Sequence, residues 1–213
     1  MRLQLPLIAN VRHRNMPLYK NGPFDEAMRR RVLEPDTQHT KLVYRDIEDE
    51  LTKFCRYVPP VKAHFGVYST KLWGIILRAS AEVGSQLHAI VTEQESKSRQ
   101  TSITDYIALE STLNLAPCEL LTRFDQDPLV PFASFAAAKS PPWWKEYNSV
   151  KHRRLESLQS ATLENALCAV GGLYVVLLRQ WGEYLMPRPM TYVSGHQVAE
   201  SPSSLFTLRK LPW

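Results

Sequence analysis

With 213 residues, 44% of them apolar, the chain is long enough to bury one sizeable core without disulfide or metal staples. Its three cysteines, Cys55, Cys118 and Cys168, are far apart and in no CxxC or Cys/His spacing, which argues against a disulfide framework or a zinc site and suits buried thiols in a reducing compartment. The formal charge of +5 is unevenly spread, since residues 139–154 hold five Lys/Arg against one acid while residues 44–138 hold nine against twelve, so any pull on a polyanion is local.

No secretory pattern opens the chain, because the apolar stretch Leu3 to Ile8 is short and broken by Gln4 and Pro6. Residues 1–43 carry Pro6, Pro17, Pro23 and Pro35 and no sustained period. They read as an irregular basic arm with a short helix over Asp25 to Leu33. Ile47, Leu51 and Phe54 then recur at helical spacing. Asp46, Glu48, Asp49 and Glu50 come early and Lys53 and Arg56 late, the order a helix dipole favours, and Pro59-Pro60 stops the helix.

The clearest helix follows. Phe65, Leu72, Ile75, Ile76, Ala79, Val83, Leu87, Ile90 and Val91 form an apolar stripe at steps of three and four, weakened slightly by Gly74 and Gly84. Glu82 lies among them and reads as surface, or as facing the motif described below. After a polar stretch from Glu93, Ser102 or Thr104 caps a shorter helix running to Asn114. Residues 116–140, with Pro117, Pro128 and Pro131, predict extended chain with a small hairpin.

Pro141-Pro142 opens a helix over about 142–158, proline being favoured in a first turn. A last long helix runs from near Leu163 to Tyr184, capped by Ser160 or Thr162. Gly171-Gly172 lets a neighbour come close or the helix bend. Its apolar run, Ala166 to Leu178, is thirteen residues, short of the roughly 20 a membrane span needs, and so reads as core. Pro187 and Pro189 end it, leaving residues 187–213 as a Ser/Pro-rich tail. The expectation is an all-α fold: a soluble, cytoplasmic, antiparallel bundle of four to five helices over residues 44–186, with no membrane partner.

The densest chemistry lies in the basic segment. On a helix, Trp143, Tyr147 and Val150 form one line, and Trp144, Asn148, His152 and Leu155 the next. Asn148 and His152 are one turn apart, so an amide and an imidazole can reach one ligand. Lys145, Lys151, Arg153 and Arg154 surround them with donors suited to phosphate. A histidine near neutrality is a general acid or base, and adjacent cations stabilise a charged phosphate transition state. These are the parts of a metal-independent ribonuclease. Trp143 and Trp144 read as core and interface aromatics rather than a stacking platform.

The Tyr-Asn-X-X-Lys-His-X-Arg stretch of residues 147–154, before a last helix rich in small residues, resembles the HEPN superfamily of small helical bundles from prokaryotic defence, toxin–antitoxin and RNA-processing systems. The resemblance covers roughly residues 64–185. It implies a homodimer that binds or cleaves RNA without a cofactor, with His152 as acid/base, Asn148 orienting it or the substrate, and Lys151, Arg154, Lys145 and Tyr147 contacting the substrate. The family's motif has an arginine where this chain has Tyr147. The rival reading is a non-catalytic module in which Asn148 and His152 are structural and the bundle holds a protein partner. The remaining histidines, His13, His39, His64, His88 and His196, have no HxxxH or HExxH partner, and P-loop, Rossmann and nucleophile-elbow motifs are missing.

Overall fold

The computed structural model describes residues 33–95, 100–125, 127–152, 157–186, 190–193, 196–199 and 201–211, and the protein is mostly helical. Helix α1 spans Pro35–Cys55, with proline in its first turn, Asp36 beside it and Lys53 in the last turn. It starts inside the stretch expected to be irregular. Asp46, Glu48, Asp49 and Glu50 therefore lie mid-helix, and the dipole argument belongs to Asp36 instead. The short helix expected over Asp25 to Leu33 lies outside the described residues, apart from Leu33 in an exposed turn.

Helix α2, Thr70–Glu95, opens on Ser69, whose hydroxyl accepts from the Leu72 N–H at 3.1 Å. The expected stripe is buried from Leu72 to Val91, whereas Phe65 precedes the helix and is half-buried. Two short helices follow, α3 over Ile103–Ala108 and α4 over Glu110–Leu113. Asp105 accepts from the N–H and hydroxyl of Ser102, at 2.7 and 2.9 Å. Asn114 ends the pair in the left-handed region, φ 48°.

Helix α5 spans Pro142–His152 and helix α6 spans Leu163–Leu185, the latter capped by Thr162, whose hydroxyl accepts from the Asn165 N–H at 3.2 Å. Helix α6 packs against α1, α2 and α5, and residues 166–182 are buried but for Cys168. A helix packed on several sides occupies a core centre, which is why its run from Ala166 to Leu178 is continuously apolar, with Arg179 and Gln180 buried just beyond it. None of the described helices is long and apolar enough to cross a membrane.

The all-α expectation needs correction, because two small antiparallel sheets accompany the helices. Strand β1, Glu119–Thr122, pairs with β4, Phe206–Lys210, and β2, Met190–Val193, pairs with β3, His196–Ala199. The hairpin expected within 116–140 amounts to one bridge, with Leu120 and Leu129 exchanging N–H···O bonds of 2.9 and 2.8 Å. Strand β1 instead recruits the C-terminal segment, so Leu205 and Phe206 are fully buried, and Phe206 stacks on Tyr174 of α6 at 6.3 Å. Gly171 makes this possible, since a Cβ there would sit 2.8 Å from Leu120 Cδ1. The close neighbour at Gly171 is thus a sheet rather than a helix.

The bend in α6 falls later than Gly171-Gly172, at Gly182, with φ 55° and ψ −145°. Side chains with a Cβ clash there, so Gly182→Ala is expected to cost about 1–3 kcal/mol. A urea melt indistinguishable from wild type would show that the bend relaxes without strain.

Burial pushes the Cys55 thiol up to about 12, and desolvation of the sulfur together with the Glu164 carboxylate does the same for Cys168, whose residue is otherwise only part-buried. Below their ordinary value of 9.0 both folded and unfolded thiols are protonated. Above it the unfolded chain releases protons that the folded chain keeps. Stability is therefore expected to fall as pH rises from 9 towards 12, by up to about 1.4 kcal/mol per pH unit for each thiol. Equilibrium unfolding of wild type and Cys55→Ser across that range reads the slope, which is predicted to be shallower in the variant.

Candidate nucleic-acid interface

Pro141 and Pro142 start α5 where the sequence places it, with the Pro141 carbonyl accepting from the N–H groups of Trp144 and Lys145 at 3.1 and 3.2 Å. Both tryptophans point inward, as core residues. Trp143, 2% exposed, donates from Nε1 to the Pro131 carbonyl at 2.7 Å and sits edge-on to Phe132. It passes so close to α6 that a Cβ on Gly172 would lie 3.3 Å from its ring. Trp144 lies against Gly84 of α2, with the same 3.3 Å clearance, and edge-on to Tyr106 at 5.8 Å. One indole holds α5 to α6 and the other holds it to α2.

Past this clamp α5 carries polar side chains into solvent. Lys145, Asn148 and Lys151 are all exposed along it, and Lys139 is exposed just upstream. Tyr147 is half-buried at the border, its ring edge-on to Trp144 at 5.4 Å. The Lys151 ammonium lies 5.7 Å from the centroid of that ring. A cation therefore stands beside the Tyr147 ring at the edge of the exposed face.

Asn148 is not a buried register-fixing amide. Its Nδ2 donates to the Trp144 carbonyl one turn back, at 3.1 Å, while the residue remains exposed. His152 is the last residue of α5 and follows Asn148 by one turn; its side chain lies outside the described residues, as does Arg154. The helix expected to run to about 158 is described only to His152. Beyond the undescribed stretch, the Ser157 hydroxyl donates to the Ser149 carbonyl at 3.2 Å, tying the chain back to α5. Among the described residues no three His, Cys, Asp or Glu side chains gather as metal ligands.

No family model, curated protein or solved structure matches this chain. Function has to be read from the residues themselves. The exposed row Lys145, Asn148 and Lys151 gives donors at intervals of three residues, about 4.5 Å along the axis, a spacing at which neighbouring phosphate oxygens can be met.

Two supports of this face escape a reading of sequence alone. Gly84 looks like a weak point in a strong helix, whereas it is the seat of Trp144. Tyr106 looks like one more helical aromatic, whereas it forms the wall on the other side of that indole.

Proposed function

We propose that this protein binds RNA along the exposed side of α5, as a HEPN-like helical bundle acting without a metal ion or cofactor and working as a homodimer. One observation carries the proposal: Lys145, Asn148 and Lys151 are all exposed on a helix whose first turn is anchored by two buried tryptophans. A rigid helix presenting a short basic row favours phosphate by local potential even where the protein's overall charge is modest.

In the catalytic form of this reading, His152 takes the proton of a ribose 2′-hydroxyl as that oxygen attacks the adjacent phosphorus. The O2′–P bond forms, the P–O5′ bond breaks, and the leaving oxygen is protonated. Asn148 orients the imidazole or the ribose, and Lys145, Lys151 and Arg154 hold the phosphate oxygens. Two features favour the non-catalytic reading of the same face: Tyr147 stands where the motif has arginine, and the Asn148 amide is engaged by its own helix.

Purified wild type and His152→Ala, incubated with mixed RNA in EDTA, separate the two. Cleavage by wild type alone supports catalysis, whereas binding by both without cleavage leaves an RNA-binding module. Binding should weaken with salt. In Lys145→Ala/Lys151→Ala, the slope of log K against log salt should become shallower by roughly 0.7 per lost phosphate contact on single strands. Affinity indifferent to salt in wild type would remove RNA from the account.

A further inference from the structure

Outside the basic face, one connected polar cluster joins the end of α2 to the start of α3. His88 Nδ1 lies 2.9 Å from Thr101 Oγ1, which lies 2.9 Å from Tyr106 Oη. His88 Nε2 lies 3.4 Å from Thr92 Oγ1.

Counting protons gives each bond a direction. Thr92 Oγ1 donates its one proton to the His88 carbonyl at 2.8 Å, so towards the ring it accepts. An imidazole holding one proton then carries it on Nε2 and accepts at Nδ1 from the Thr101 hydroxyl. Thr101, its proton spent, accepts from the Tyr106 phenol. The Tyr106 ring stands edge-on to Trp144, Trp144 stands edge-on to Tyr147, and Lys151 lies over Tyr147. An unbroken line of contacts thus runs from an imidazole on α2 to the exposed cation of α5.

We infer that His88 is a positioning residue for the α5 face, acting through Thr101 and Tyr106 to hold Trp144, and with it the Tyr147–Lys151 pair, in the arrangement that receives phosphate. The inference rests on the proposed RNA reading for its functional consequence, though not for its geometry. What the line requires of His88 is an acceptor at the Nδ1 position. An asparagine supplies one, because its Oδ1 stands where Nδ1 stood, and alanine supplies none.

The test measures RNA affinity at fixed low salt for wild type, His88→Ala, His88→Asn and Thr101→Val. His88→Ala and Thr101→Val are expected to weaken binding about fivefold, the effect of one hydrogen bond, with the salt slope unchanged because no phosphate contact is lost. His88→Asn is expected to restore most of the affinity. A residue serving only helix stability would rank the other way, since alanine is the better helix former. Alanine binding as well as asparagine, or lowered melting with affinity intact, overturns the inference.

If wild type binds no RNA, the functional reading falls, and the Trp144 Nε1–H resonance tests the positioning by itself. It should move in Thr101→Val and His88→Ala, return in His88→Asn, and leave Trp73 unaffected as a control. A Trp144 signal that stays in place in every variant sinks the positioning role.

Discussion

Replacing Glu48 by alanine is expected to lower the free energy of unfolding by about 3–5 kcal/mol in urea titrations, among the largest effects of any single side chain here. Glu48 is 1% exposed in the middle of α1. Its Oε1 accepts from the Tyr44 phenol at 2.8 Å, from the Ser203 hydroxyl, and from the N–H groups of Ser204 and Leu205 at 3.1 and 3.4 Å. Its Oε2 meets the half-exposed Arg45 at 3.3 Å. Ser203 Oγ in turn accepts from the N–H groups of Leu205 and Phe206, at 3.2 and 2.7 Å.

One carboxylate therefore fastens α1 to the turn that launches β4. Alanine would strand the Tyr44 and Ser203 hydroxyls away from water, and each unmet donor carries its own desolvation cost. Tyr44→Phe removes only one donor and should cost about 1 kcal/mol, whereas Ser203→Ala also takes the acceptor from the Phe206 N–H and should cost about 1–3 kcal/mol. In a double-mutant cycle, Glu48→Ala and Tyr44→Phe should fall short of additivity, because both delete the same bond. A loss below about 1 kcal/mol for Glu48→Ala would mean that water replaces the carboxylate and that the β4 turn stands without it.

The second large effect is expected at Trp143. Truncation to alanine empties the space between Phe132, Gly172 and Trp144 and leaves the Pro131 carbonyl without its indole donor. The cost should reach about 3–5 kcal/mol, typical of a large aromatic lost from a close-packed core. Trp143→Phe keeps most of the ring contact, loses the 2.7 Å bond, and should cost about half as much. Measured well below its melting temperature, Trp143→Phe should bind RNA like wild type, because α5 remains docked by Trp144. Weakened binding there, at unchanged fold, would make Trp143 a part of the interface rather than its anchor.

These two residues show where sequence reading succeeds and where it stops. Trp143 is legible, since an indole at the head of an amphipathic helix has few good places except a core, and both tryptophans are indeed inside. Glu48 is not legible. It sits among Asp46, Asp49 and Glu50, and nothing local separates the one buried acid from its solvated neighbours. Its donors from Ser203, Ser204 and Leu205 come from more than 150 residues away in the chain. The same distance hides the β1–β4 pairing. Residues 119–122 alternate buried and half-buried positions as a strand should, but the partner is specified by what reaches them in space.

At the candidate interface, the row Lys145, Asn148 and Lys151 follows from helical spacing once α5 is granted. That all three are exposed was decided by how α5 docks, since Asn148 and Lys151 share a helical line with the buried Trp144. The contact of Lys151 with Tyr147 is likewise one turn of helix. The support beneath, from His88 through Thr101 and Tyr106 to Trp144, crosses three helices and has no periodic signature.

By itself, the amino-acid order determined the features whose physics is local. The stripe of α2, the apolar run of α6, the Thr162 cap, the end of α1 ahead of Pro59-Pro60 and the basic residues of α5 all arise from neighbours within a few residues, where spacing and capping chemistry are direct. Only the tertiary structure decided which carboxylate is buried, that the C-terminal residues complete the core as β4, and that the chain bends at Gly182 rather than Gly171-Gly172. Those outcomes depend on contacts between segments distant along the chain, whose strength comes from desolvation and close packing that no local pattern records.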